Sequence, residues 1–168
     1  MLSLAQRTVL DVLDRVAVCV NDYLGLGGKP NAIYFRTFWR EHGGTGAWRP
    51  AIQAETLAGN PGLVALSDLA SDLCEGGFLA PKHNLRNVST HRFCVLHDEG
   101  DRPSRPSAAI NHYNMSAFLD QTIGSLQIVR SAILYLVDAI AWHEARIRHD
   151  GPVVTAPIVP HHYIRGED

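Results

Sequence analysis

The sequence predicts an all-α fold, a bundle of four to five helices that ends in one long C-terminal helix. Three observations carry this. Leu119, Leu126, Ile133 and Ile140 recur every seven residues, with Met115, Val129 and Leu136 on the interleaved positions, which is the repeat of a long helix with an apolar seam. Val9, Leu13, Val16, Val20 and Tyr23 step by four, three, four and three, a spacing that gathers them on one helix face. No segment alternates apolar and polar residues convincingly enough to read as a strand.

In chain order, the first helix is expected over residues 3–24, stopped by Gly25, Gly27, Gly28 and Pro30. Ile33-Tyr34-Phe35 and Phe38-Trp39 form a packed turn or short helix before the glycines and proline of His42 to Pro50. Asn60-Pro61 has the chemistry of a helix start: Asn accepts from free backbone donors at the N-cap, and Pro lacks a donor that the first turn leaves unused. That helix is expected to reach Cys74 and stop at Gly76-Gly77. Pro81 opens another in the same way, carrying Lys82 through Leu96, and Asp98 to Pro106 has the composition of an exposed loop. The last helix is expected over 115–148. Gly124 inside it marks a close crossing or a break.

The chain of 168 residues is long enough for one domain, placed at 1–150, with an irregular tail at 151–168 containing Pro152, Pro157 and Pro160. With 46% hydrophobic residues and a formal net charge of -2, it is neither disordered nor a polybasic nucleic-acid tail. Three cysteines, Cys19, Cys74 and Cys94, are an odd number at wide spacing, which fits a reducing, cytoplasmic setting. The longest uninterrupted apolar runs, Val16 to Val20 and Ala132 to Val137, are far shorter than the ~18 residues of a bilayer span, so no membrane partner is expected.

The net charge is an average over unlike regions. Between Glu75 and Asp98 there is no carboxylate, while Lys82, Arg86 and Arg92 lie there with His83, His91 and His97. A solvated basic face explains such a run blandly. Its internal order is more specific: Leu85-Arg86-Asn87-Val88-Ser89-Thr90-His91-Arg92 sets an Arg, a polar neighbour and a His five positions on.

Here the sequence resembles the HEPN superfamily of all-α domains, whose active members carry Arg, usually a polar residue, then four to six residues and His. The longer string Leu-Arg-Asn-x-x-Thr-His-Arg resembles a bacterial branch of these domains. The likeness extends to Leu13-Asp14-Arg15-Val16-Ala17 with Asn21-Asp22-Tyr23-Leu24, to Phe35 through Trp39, and to Asn60 through Leu66, covering residues 8–148.

The resemblance implies a metal-independent endoribonuclease that needs no cofactor. Two protomers would pair so that both motifs line one groove, in a toxin or antiviral-defence setting with an antitoxin or sensor-domain partner. Arg86, His91 and Asn87 would be catalytic, and Lys82, His83 and Arg92 would bind RNA. The residue types suit that chemistry: His titrates near neutral pH and can move the 2′-hydroxyl or leaving-group proton, and Arg offers a permanent, forked cation to a phosphate. On a regular helix a five-residue step turns Arg86 and His91 about 140° apart, so a groove completed by a partner protomer would reconcile them. The apolar seam of the last helix and the apolar face of the first are the candidate dimer surfaces, with intramolecular core as the plainer use of both. One HEPN subgroup is controlled by modification of a Tyr two residues after the motif His. That position is Phe93 here, which has no hydroxyl to modify.

Rival readings are weaker. His91, Cys94 and His97 drift around a helix and lack a closed metal-ligand set, the three cysteines read as small core residues, and the His161-His162 pair reads as tail surface. Asp11 and Asp14 read as a solvated face offset by Arg7 and Arg15. Phe38, Trp39, Trp48 and Tyr113 can stack bases or pack internally, and packing is the expected use. The serious alternative is a HEPN-type module that binds RNA or nucleotides, or dimerises within a larger sensor protein, without cutting.

Overall fold

A computed structural model describes residues 2–44, 46–80, 93–98 and 110–147. Helix α1 spans Leu2–Tyr23 and buries Val9, Leu13, Val16, Ala17 and Val20, so its predicted apolar face is core and not a dimer surface. It ends where Gly25 and Gly27 take positive φ, 63° and 71°, and Leu26 N–H returns to the Asn21 carbonyl at 2.9 Å.

The aromatic segment folds as a single turn, α2, Phe35–Phe38. Phe35, Phe38 and Trp39 are buried, with Phe35 and Trp39 edge to face at 5.5 Å. Its first N–H is held from α1, where Asp14 Oδ1 accepts from Phe35 N at 2.8 Å. Asp14 therefore docks α2 and does not belong to a merely solvated face.

Two short helices follow. Helix α3, Pro50–Leu57, has no counterpart in the sequence reading. Helix α4, Pro61–Asp72, starts as expected: Asn60 Oδ1 accepts from Leu63 N at 3.1 Å with Pro61 in the first turn. The same Asn60 is almost fully buried because its Nδ2 donates to the Ala139 carbonyl at 3.0 Å. Gly62 lies against that same stretch of the last helix, where a Cβ would meet Tyr135 O at 2.3 Å and Ala139 N at 2.4 Å.

The helix expected through Leu96 does not extend so far. Phe93–His97 is strand β1, paired in parallel with β2, Ile110–Asn114, in the register Phe93↔Ile110 to His97↔Asn114. A short apolar run suits a strand as well as a helix turn, and a parallel partner must come from across a crossover rather than a hairpin, so no local turn signal announces it. The remainder of that predicted helix, the loop from Glu99 to Pro106 and the tail from 151 lie outside the described residues.

The last helix, α5, spans Met115–Arg146 without interruption at Gly124. Asn114 caps it, its Oδ1 accepting from Ser116 N at 2.9 Å and Ala117 N at 3.2 Å. Its length matches expectation and its orientation does so in part. The buried positions are Phe118, Thr122, Ser125, Ile128, Val129, Ala132 and Ala139, whereas Leu119, Ile123, Leu126, Ile133, Leu134 and Val137 are exposed, Leu126 by 51% and Val137 by 60%. Of the predicted seam, Val129 is core and Leu136 packs against it, whereas Leu119, Leu126 and Ile133 face outward; small and hydroxylated residues share the buried face with Phe118, Ile128 and Val129. One stretch of α5, with a mean hydropathy of 1.5 over 18 residues of which 28% are buried, is apolar enough by length and composition alone to cross a bilayer. Of the cysteines, Cys19 is exposed, contrary to the core expectation, and Cys74 is partly buried; both are free thiols.

Candidate functional site

The residues singled out by sequence, Arg86, Asn87 and His91 with Lys82, His83 and Arg92, all lie within 81–92, outside the described residues. Their surroundings are described on both sides. Helix α4 and its C-terminal turns lead to Ala80, with Leu79 N bonded back to Asp72 O at 2.8 Å. On the other side β1 begins two residues after His91, and its partner β2 runs directly into the α5 cap.

A histidine pair that sequence reasoning missed fastens these strands. His97 Nε2 and His112 Nδ1 are 2.6 Å apart, and the ring planes differ by 27° with centroids 4.9 Å apart. That centroid spacing is the N···N distance plus one ring radius at each end, so the two nitrogens point at each other. One imidazole must donate its N–H and the other accept. His97, weighed from sequence as part of a zinc triplet, is here a strand-to-strand link. Among the described residues no three His, Cys, Asp or Glu side chains cluster as metal ligands. Two diagonal cross-strand positions carry the pair, and only the parallel register could have announced it.

A second polar cluster closes the opposite end of the bundle. Glu55, buried on α3, receives Arg146 at one carboxylate oxygen and holds His143 Nδ1 at 3.0 Å from the other. Tyr23 donates to Glu144 at 2.5 Å and packs edge-on to His143. Burial first, then the hydrogen bond to Glu144 and the carboxylate charges of Glu144 and Glu55, push the Tyr23 phenol up to about 12. These side chains tie the end of α5 to α1 and α3 around an apolar crease lined by Val20, Leu63, Leu136 and Ile140. Arg146 and Tyr23 are each bonded to a carboxylate, while Glu55 Oε2 and His143 Nδ1, 3.0 Å apart, are buried without a hydrogen-bond partner.

The aromatic candidates divide. Phe38 and Trp39 are core, as the packing reading expected, whereas Trp48 and Tyr113 are partly exposed.

A helical bundle closed by one long terminal helix is the architecture of an all-α HEPN-type domain. The chain belongs to the LA2681-like HEPN family, whose model matches residues 1–143. No curated protein and no solved structure matches it. Membership points to nuclease or RNA-binding function in general.

Proposed function

We propose that this protein is a metal-independent endoribonuclease that acts as a homodimer. The observation that carries this reading is the Arg86-Asn87-x3-His91 string, with Lys82, His83 and Arg92 around it, in a carboxylate-free stretch of a HEPN-family chain. His91 takes the proton from the RNA 2′-hydroxyl, or delivers one to the leaving 5′-oxygen. The 2′-oxygen then bonds to phosphorus as the P–O5′ bond breaks, leaving a 2′,3′-cyclic phosphate and a 5′-hydroxyl. Arg86 binds the non-bridging oxygens on which charge builds, Asn87 orients the imidazole or the phosphate, and Lys82, His83 and Arg92 hold flanking phosphates.

The exposed seam of α5 supports pairing. Leu119, Ile123, Leu126, Ile133, Leu134 and Val137 lie exposed along one side of a helix whose other face is core, with the exposed Arg130 among them. Apolar surface of this extent marks an interaction site. A toxin or antiviral-defence setting in the cytoplasm, with an antitoxin or sensor-domain partner, completes the proposal.

The test is incubation with RNA in excess EDTA. The wild type should yield cyclic-phosphate ends, and Arg86→Ala and His91→Ala should each abolish them. Cleavage that persists in both variants overturns the site. RNA binding without cleavage by the wild type moves the protein to the non-cutting, RNA-binding reading.

A further inference from the structure

Between Tyr23 and Ala54 the chain carries four permanent cations, Lys29, Arg36, Arg40 and Arg49, against one carboxylate, Glu41. In sequence this second basic stretch is distinct from the Arg86/His91 motif. Two of its guanidinium groups, those of Arg40 and Arg49, lie on aromatic rings of α2 and the turn after it. Arg36 lies in α2 and Arg40 four residues later, with Trp39 between them still in helical backbone conformation, so the two sit one helical turn apart. An isolated antiparallel bridge pairs Arg40 with Trp48 and sets the Arg40 guanidinium 4.4 Å over the indole. Arg49, next in sequence, lies 5.3 Å over the Phe38 ring and donates through Nε to the Phe38 carbonyl.

Among the described residues, none of these three guanidinium groups meets a carboxylate. Arg146 does the opposite, since Glu55 absorbs its charge. Arg40 also donates through Nη1 to the Gly46 carbonyl at 3.4 Å; a guanidinium laid on an aromatic face is held in place while its remaining donors stay available, which is how Arg recognises phosphates beside stacked bases. Tyr34, two residues before Arg36, is 57% exposed and offers a free ring. The patch also has a defined neighbour. The Cys74 thiol lies 3.7 Å from the Arg36 carbonyl, so α2 abuts the end of α4, from which the chain passes into the basic stretch of 76–97.

We propose that Arg40, stacked on Trp48, together with Arg36 one turn before it and Arg49 stacked on Phe38, forms a phosphate-binding patch for single-stranded RNA, distinct in sequence from the Arg86/His91 motif. It rests on the RNA reading above, adding a second contact for the strand.

The experiment uses the full chain carrying His91→Ala, so that RNA stays intact, and a fluorescein-labelled single-stranded oligoribonucleotide followed by anisotropy over a range of salt. Arg36→Gln with Arg40→Gln should raise Kd roughly tenfold and lower the slope of log K against log salt by about 1.4, since each phosphate contact on a single strand contributes ~0.7. Arg40→Lys should keep the slope and lose affinity, because charge remains and the stacked fork does not. Arg15→Gln, an exposed cation on α1 outside the patch, should change neither quantity, and circular dichroism melts confirm that each variant is folded. An unchanged Kd and slope in the double variant overturn the patch, and equal binding of a duplex overturns its single-strand character. A parent that binds no RNA overturns patch and RNA reading together. A patch-dependent parent whose wild-type form never cuts RNA keeps the patch and removes only the nuclease.

Discussion

Replacing Gly62 with alanine sets two physical effects against each other. In an exposed helix the change stabilises by up to ~1 kcal/mol, because Ala loses less backbone freedom on folding. Here the new Cβ would stand 2.3 Å from Tyr135 O, 2.4 Å from Ala139 N and 2.8 Å from Ala139 Cα, all backbone atoms of α5 that no rotamer change can move aside. To reach ordinary contact α4 must retreat by about 1 Å, and overpacking of that kind costs roughly 1–3 kcal/mol. The retreat also stretches the Asn60 Nδ2 bond to the Ala139 carbonyl, now 3.0 Å, worth about 1 kcal/mol. After the propensity gain, the net loss should be about 1–3 kcal/mol, which in a chain of this size lowers Tm by roughly 2–12 °C. Calorimetry of Gly62→Ala beside wild type at matched concentration reads this directly. A Tm equal to or above that of the wild type would show that α4 and α5 do not cross as closely as described, and would refute the reasoning.

Other outcomes follow from the same contacts. Leu126→Glu with Ile133→Glu should yield a monomeric mass by light scattering with helical circular dichroism retained, and an unchanged dimer mass would place the interface elsewhere. Asn60→Ala removes the α4 cap and the tie to α5 at once and should cost about 2 kcal/mol in denaturant unfolding; a loss below ~0.5 kcal/mol would contradict the buried cap. Tyr23 should ionise late, with its pKa raised to about 12. Because the folded value lies above the unfolded one, the stability Tyr23 contributes is whole below pH 10 and is lost as pH rises towards 12. Phenolate absorbance titration of wild type against Tyr23→Phe checks this, and loss of an early-titrating phenol in the variant would contradict it.

Local signals in the sequence located α1, the start of α4 and the length of α5, because caps and helical periodicity act within a few residues. They did not reveal which side of α5 faces the core. Pattern reading weights large apolar side chains, and so chose Val129 and Leu136, which do pack in or against the core, along with Leu119, Leu126 and Ile133, which are exposed. The crossing with α4 is too close for them: it is built from Gly62, Ala132 and Ala139, with Thr122 and Ser125 buried alongside. Those hydroxyls cost little to bury because each donates to its own helix, Thr122 to Phe118 O at 2.8 Å and Ser125 to Gln121 O at 2.9 Å. Helix α3 escaped because eight residues give too short a period, and the strand pair because its partner is remote in sequence. The motif was legible as an ordered string of residue types, a property that belongs to the sequence itself.

The two seams of α5 have different consequences for the proposed chemistry. Besides burying Phe118, Ile128 and Val129, α5 leaves Leu119, Ile123, Leu126, Ile133, Leu134 and Val137 exposed, and clustered exposed apolar residues mark an interaction site. In the proposed homodimer a second copy of the chain would cover them with the identical surface, which a two-fold axis allows. The α5 root is also where the chain returns from the motif, since β1, two residues after His91, is held to β2 by the register from Phe93 to His97 and by the His97–His112 link, and β2 continues into the Asn114 cap. Pairing through α5 would therefore set the spacing between the two strand pairs, each of which begins two residues after His91 in sequence. Loosening the strand pair with His112→Ala should lower RNA cleavage without dissociating the dimer, whereas breaking the α5 stripe should lower both together.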